Sequence, residues 1–455
     1  MNIVGVNPIA AEGGHWKWRW ALVAMTGALA LIYIDQTAVA VALPTIGHEL
    51  GLSDVALQWV VNAYLLALAV TVAVGGRLGD LYGRRRLFLA GLALLAVGSA
   101  VCAVADGELV LLSGRAVQGI GAGVMMPNAT GLLSESYEAD QRGRALGICL
   151  GVSGAFLAFG PVVGGVLVDA FGWRSVFVLN LPVIAVIAGL VVLRVAGRGG
   201  NAGALTDSVG VAMVIAALVA VVTALMQAPS WGWTSARTLV LGGAGVLVLA
   251  VAIVRELRIR APFFNLRLFA QRTYTGASLA VSANRLAVVI ATVYASIWFQ
   301  QVIGLGASAA GAALLALAVP TVVAAPLAGR FADRVGSAAV CNLGMAVTAA
   351  GALLIAIGMD RRGSVLVVVG LIPLAIGSGV VQPSANLAVM NTVAGEQESE
   401  AFGLMAACRQ LAASLGLAVV AGIITTASFA TGFYVTAGLS FAAWVLSAWL
   451  LRRGS

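Results

Sequence analysis

Lysine occurs once in this chain, at Lys17, histidine twice, at His15 and His48, and cysteine four times. The cysteines, Cys102, Cys149, Cys341 and Cys408, all fall inside apolar stretches, so neither a disulfide framework nor a Cys/His metal centre is expected. Charge of either sign is scarce. Only 10% of residues are Asp, Glu, Lys or Arg, against about 25% in a soluble domain, and a water-exposed surface cannot be built from so little. Walker-type, Gly-x-Ser-x-Gly and His-Glu-x-x-His sequences do not occur. With no His/Cys/carboxylate cluster either, a membrane-embedded enzyme has no chemistry to use. No sizeable soluble stretch offers a receptor domain, and no polar pore segment recurs as a channel would need.

What remains is apolar. Of 455 residues, 61% are hydrophobic and 56 are glycine, with a mean hydropathy of +1.02. Runs of about 20 apolar residues cross a bilayer as helices. Such runs predict fourteen spans, at 20–43, 55–76, 87–105, 109–132, 144–168, 174–194, 208–228, 238–256, 273–302, 308–329, 337–358, 364–388, 402–427 and 432–451. The fold class is therefore an all-α polytopic membrane protein. Breaks are expected at Pro44, at Asp106-Gly107-Glu108, in the Gly-rich stretch 197–203, at Pro229 to Trp233 and at 395–400. Ala38 to Ala40 would serve as a signal-peptide cleavage site. The apolar run from Ala21 to Leu43 is longer than a signal core of ~7–15 residues, however, and it contains Asp35 and Gln36, so it is kept as the first span.

A net charge of +8 would suit nucleic acid, but position explains the cations better. Outside the spans, Arg174, Arg237, Arg361 and Arg362 alone fall on one side of the membrane, and the remaining loop cations fall on the other. That is the positive-inside pattern. It places both termini in the cytoplasm and makes the lipid bilayer, not nucleic acid, the expected partner.

The densest charge cluster is Gly76-Arg-Leu-Gly-Asp80-Leu-Tyr-Gly83-Arg84-Arg-Arg86, read as a tight cytoplasmic turn between spans two and three. A second copy, Gly329-Arg-Phe-Ala-Asp333-Arg-Val-Gly336, keeps Gly, Arg, Asp and Gly at the same four places but has Ser337-Ala-Ala where the basic tail would be. The chain is therefore internally duplicated. Matching the two copies pairs span one with span nine and makes spans seven and eight an insertion. The expected organisation is a cytoplasmic lead at 1–19, a six-helix bundle at 20–195, a linker with two extra spans at 196–272 and a second six-helix bundle at 273–455.

The Gly76–Arg86 stretch resembles the signature loop of the major facilitator superfamily, and fourteen spans with a central inserted pair resemble its drug:proton antiporter family. The resemblance implies two six-helix bundles that alternate access to a midplane site. It also implies a gating role for Gly76, Asp80, Gly83, Arg84 and Asp333, since this loop latches the inner face in the family. Asp80 would meet the positive start of span thirteen. Arg77 or Arg84 would pair with Glu135, although solvated surface charge is an equal reading.

Further stretches carry the same resemblance. Gly151 to Gly165, with Gly160-Pro161 at its centre, is similar to the antiporter signature, which importers generally lack. Its small residues let a partner helix approach, and Pro161 removes the donor to Leu157, so a kink is expected. Leu111 to Gly119 resembles the helix 4 motif and contains Arg115. That arginine either faces a partner in the protein interior or snorkels to the outer surface. Asp35, in Tyr33-Ile-Asp35-Gln36, is the one acid deep within a span and resembles the helix 1 motif. It is expected to couple protons with Arg115 as its tuning partner, or to form a structural pair with it.

Arg285 and Arg409 are two further intramembrane cations, open to substrate contact or to ordinary packing. Candidate cavity residues are Tyr33, Asn62, Tyr64, Met125, Phe156 and Phe159 in the first bundle, joined by Tyr294, Trp298, Gln382 and Asn386 in the second. The expected function is proton-coupled export of small amphipathic compounds, without a cofactor or metal and driven by the proton gradient. The expected form is a monomer in a bacterial cytoplasmic membrane. The alternative is a proton-coupled importer or a dedicated exporter of one endogenous metabolite.

Overall fold

The computed structural model describes residues 14–197, 199, 208–259, 265–393 and 398–452, and all regular structure among them is helical. The first half contains α1 (Gly14–Leu50), α2 (Asp54–Tyr82), α3 (Arg84–Ala103), α4 (Glu108–Ser136) and α5 (Ala139–Phe171), then α6 (Arg174–Val178) and α7 (Asn180–Arg194), which together make one span. Two more helices follow, α8 (Ser208–Trp231) and α9 (Ala236–Arg258). The second half contains α10 (Arg272–Gln301), the paired α11 (Ala307–Ala313) and α12 (Leu315–Val335), α13 (Ser337–Asp360), α14 (Ser364–Met390), α15 (Glu398–Thr426) and α16 (Phe429–Arg452). Among the described residues, 13 helices are long and apolar enough to cross a membrane, and the bent α5 brings the number to 14.

Two expected breaks are helical instead. α1 continues through Pro44 to Leu50, because the turn that proline weakens is held by its neighbours: Ala40, Val41, Ala42, Leu43 and Ile46 are all buried. The stretch from Gly76 to Tyr82, expected to be a turn, is the last part of α2. The reversal itself takes a single residue, Gly83, whose φ of 96° is open to glycine and strained for other residues. Gly336, at φ 89°, does the same between α12 and α13.

The two halves pack alike. α1 lies against α5 as α10 lies against α15, α2 against α4 as α12 against α14, and α3 against α4 as α13 against α14. Glycine spacing explains the last pair. Gly91 and Gly98 on α3 meet Gly121 and Gly114 on α4, while on α13 Gly344 meets Gly377 of α14, and Gly351 and Gly358 meet the backbone of Leu374 and Val367. A seven-residue interval keeps a glycine on one helix face every second turn, and backbones can then touch. A Cβ on Gly98 would stand 2.6 Å from the Gln118 nitrogen, and one on Gly358 would stand 2.7 Å from that of Val367.

Between the halves, α2 packs on α15 and α5 packs on α11 and α12. α8 lies over the first of these seams. Leu218, Val222 and Met226 of α8 form one cluster with Leu66 of α2 and Ala418 of α15. α9 packs on α8 through Gly245, and its Leu239, Val240, Leu247 and Val251 are exposed.

Candidate functional site

Asp35 lies at the centre of a buried polar network. It is 1% exposed in the middle of α1, and Arg115, seven residues into α4, is equally buried, so the arginine does not snorkel to the surface. Arg115 Nη1 donates to Asp35 Oδ2 at 2.7 Å and to Gln118 Oε1 at 2.8 Å, and its Nε donates to the Val60 carbonyl at 2.9 Å. Its guanidinium stacks 4.3 Å above the ring of Tyr64. Asp35 Oδ1 accepts from Asn180 Nδ2 at 2.8 Å and from Gln118 Nε2 at 3.3 Å. Both amides also donate to Ser99 Oγ. The carboxylate thus collects three donors from α4 and α7, and α3 supplies the acceptor behind them.

Sequence reasoning paired Asp35 with Arg115 but did not assign Gln118, Asn180 or Ser99 to the site. Gln118 stands three residues after Arg115, one helical turn along the same face. That interval is the signal that would have found it.

Next to this network, Gln36 opens onto a narrow cavity between the bundles. The cavity, about 20 Å³, is lined by Gln36, Thr37, Tyr64 and Arg115 from the first half and by Arg285, Val288 and Thr292 from the second. Arg285 Nη2 donates to Gln36 Oε1 across the interface. Tyr33 and Tyr64 both lie within electrostatic reach of Arg285, and so does Arg409. Arg409 Nη1 donates to Gln382 Oε1 at 2.8 Å, and Gln382 Nε2 donates to Asn386 Oδ1 at 3.1 Å. The structure therefore brings together Tyr33, Tyr64, Arg285, Gln382, Asn386 and Arg409. Asn62 joins the bundles nearby by accepting from Ser414 Oγ at 2.6 Å.

Four of the candidate cavity residues lie elsewhere. Met125 is buried against Gly91, inside the first bundle between α3 and α4. Phe156 and Phe159 are 39% and 45% exposed on α5 and line neither cavity described here. Trp298 is buried against Phe299, with ring centroids 5.3 Å apart. A helical sequence gives the depth of a residue but not its rotation about the axis when the helix is apolar all round. Tyr294 lines a larger outer cavity of about 200 Å³ with Gln58, Gln301 and Phe429, which shares Val61 and Val293 with the inner one.

The gating candidates lie at the two ends of the interface. On the inner side, Arg84 bridges Asp80 at 2.9 Å and Glu135 at 3.3 Å, and Gly76 rests against Pro127. Asp80 thus has Arg84 as a partner. The side chains of Asp333 and of the first turn of α15 lie outside the described part of the structure. On α5, Gly160 lies against Thr37 of α1, and the Pro161 carbonyl lies against Gly311 of α11. The helix is bent by 42° between Ala145–Gly154 and Phe159–Phe171, in the turn that holds Leu157, the carbonyl that a proline at 161 displaces. A Cβ on Gly165 would stand 2.5 Å from the Ala307 carbonyl oxygen. Gly147, Gly151 and Gly154 lie on the same stripe of α5 three to five turns inward of Gly165 and meet no described neighbour within 4 Å. Among the described residues, the close glycine packing of α5 is confined to its outer half.

Two bundles related by a repeat, a polar site at mid-depth between them and glycine-lined seams describe a carrier, and comparison with known proteins decides which kind. The family model described as Major Facilitator Superfamily matches residues 25–206 and 277–455. The chain belongs to the major facilitator superfamily. The stretch between the matched segments contains α8 and α9. This superfamily member is 33% identical to the tetracenomycin C resistance and export protein of Streptomyces glaucescens, over 91% of this chain and 78% of that one. It is 32% identical to the multidrug resistance protein Stp of Mycobacterium tuberculosis (89% and 75%) and 30% identical to the methylenomycin A resistance protein of Streptomyces coelicolor (94% and 91%). Among solved structures, a POT family transporter in complex with 5-aminolevulinic acid superposes with a TM-score of 0.73 at 15% identity, covering 96% of each chain. At that identity the likeness is one of fold. The protein is a multi-pass membrane transporter of the superfamily, and not an enzyme.

Proposed function

We propose that this superfamily member exports small amphipathic compounds from the cytoplasm of a bacterium in exchange for protons, with Asp35 as the coupling acid. The carrying observation is the buried network around Asp35 and its continuity, through the adjacent Gln36, with the cavity between the bundles. An ionised Asp35 accepts from three donors. A protonated carboxyl must itself donate from one oxygen, and that oxygen now faces N–H groups of Arg115, Gln118 or Asn180. The donors then have to turn away, and they stand on α4 and α7. Loading a proton is in this way tied to a rearrangement of the first bundle, and a rearrangement that restores the donors releases the proton. Gln36 carries the change across the interface to Arg285 on α10.

Two observations favour export over uptake. The relatives are named for drug and antibiotic resistance or export, and α5 carries the Gly160-Pro161 kink. The test is transport in proteoliposomes under an imposed pH gradient, with the wild-type chain and Asp35→Asn. Wild type should exchange substrate for protons, whereas Asp35→Asn should bind substrate and fail to respond to the gradient. Full gradient-driven transport by Asp35→Asn would refute the assignment.

A further inference from the structure

The midplane of this molecule holds more positive charge than its described acids balance. Arg115 is neutralised by Asp35, but among the described residues no carboxylate pairs with Arg285 or Arg409. Arg285 stands midway along α10, is 9% exposed and faces the inner cavity, while Arg409 stands near the middle of α15, close enough for the two charges to repel. Their hydrogen-bond partners are neutral amide oxygens, Gln36 Oε1 and Gln382 Oε1. The Nε of each guanidinium is buried without a partner among the described residues. Buried charge is strongly disfavoured unless it is paired and hydrogen-bonded. Two like charges held together at mid-depth, each with a free donor, therefore form a site that an anion completes.

The surroundings define the rest of the ligand. Val61, Leu65, Val288, Val289 and Val293 give the cavity apolar walls, and Tyr64 adds a buried aromatic ring. In this arrangement the cavity has room for about one water, so an organic ligand enters as the bundles part; a small hydrated inorganic ion would then leave these walls unused, whereas a planar acid presents charge to the arginines and carbon to the valines. Building on the export reading, we propose that Arg285 and Arg409 together bind the anionic head of an amphipathic organic acid, a carboxylate or acidic phenol on an apolar aromatic body. The incoming oxyanion competes with Gln36 for Arg285. Binding therefore loosens the α1–α10 link one residue from Asp35, which is where a coupled carrier has to register its cargo.

The experiment uses the full chain in lipid nanodiscs and three probes of one shape: 2-naphthoate, its neutral amide and the 2-naphthylmethylammonium cation. Calorimetric titration should show naphthoate binding at least tenfold more tightly than either of the others. Arg285→Gln and Arg409→Gln should each weaken naphthoate at least tenfold and leave the amide unchanged, with no loss of thermal stability without ligand, since each removes an unpaired charge. Equal binding of acid and amide, or naphthoate affinity indifferent to both substitutions, overturns the proposal. So does displacement of naphthoate by equimolar chloride, which would mark a site for inorganic anions. The export reading fails separately. If an imposed pH gradient drives no probe while Arg-dependent naphthoate binding persists, the anion site stands and proton exchange does not. If the gradient drives the cation or the amide and naphthoate does not bind, the reverse holds.

Discussion

Replacing Asp35 by Asn keeps the shape of the side chain and removes its charge, so it probes the network more cleanly than a truncation would. In the wild type, Oδ2 takes Arg115 and Oδ1 takes Asn180 and Gln118. An asparagine has one oxygen for these two groups, and its NH2 must face the donors on the other side. The substitution thus forfeits the 2.7 Å hydrogen bond from Arg115 or the two amide hydrogen bonds, and in either case leaves the Arg115 guanidinium buried without a counter-charge. Removing one member of a buried pair typically costs about 3–5 kcal/mol. Arg115→Gln is expected to cost a similar amount, and it also gives up the bond to the Val60 carbonyl and the stacking on Tyr64. Asp35→Asn with Arg115→Gln leaves two neutral amides with no stranded charge. The double variant should therefore fall short of the summed single losses by about 2 kcal/mol or more, well beyond the 0.3–0.5 kcal/mol scatter of independent sites. Reversible unfolding in mixed detergent micelles, run as a double-mutant cycle, measures this. Additive losses would show that the two groups do not act as a pair, and the coupling mechanism built on them would fall.

The two ends of the α5 stripe should respond differently to a methyl group. Gly165→Ala forces Ala307 and Ser308 away, an overpacking of about 1–3 kcal/mol against the outward-closed arrangement, whereas Gly154→Ala meets open space. A reporter cysteine at Val293, at the base of the outer cavity, in a background without Cys408 should become more reactive to an impermeant thiol reagent in Gly165→Ala alone. Equal labelling in both variants would remove the stripe from the outer gate. For topology, Thr234→Cys between α8 and α9 should react with the same reagent in intact cells, and Gly199→Cys should react only after the membrane is opened. The opposite pattern would invert the orientation inferred from the arginines.

How far the sequence leads depends on the kind of fact sought. Span number and the internal repeat follow from apolar length and from the paired Gly-x-x-x-Asp-x-x-Gly stretches, because the bilayer sets helix length and a duplication leaves its spacing behind. Depth also comes through. Asp35 and Arg115, both read as charges within their spans, meet. Rotation comes through less well, because Phe159 lies in a stretch of α5 that is apolar on nearly every side and carries little mark of which face points inward. Polar partners contributed by distant helices do not come through. Nothing within their own spans tells that Asn180 and Ser99 share a partner; α7 and α3 carry them to Asp35 and to each other. Helix ends misled at Pro44 and Gly76 for a common reason. Breakers identify positions where a helix is weakened, and buried neighbours decide whether it stops.

The inserted helices make the carrier's two flanks unequal. A repeat of two six-helix bundles leaves two equivalent seams, but α8 lies over the one between α2 and α15 through Leu218, Val222 and Met226. The other, between α5 and α12, has no such cover among the described residues. There Val319, Val323, Leu327 and Phe331 of α12 are exposed. The carrier is therefore asymmetric about its central axis: one flank of the interface is walled by a third helix, and the other is made by the two bundles alone.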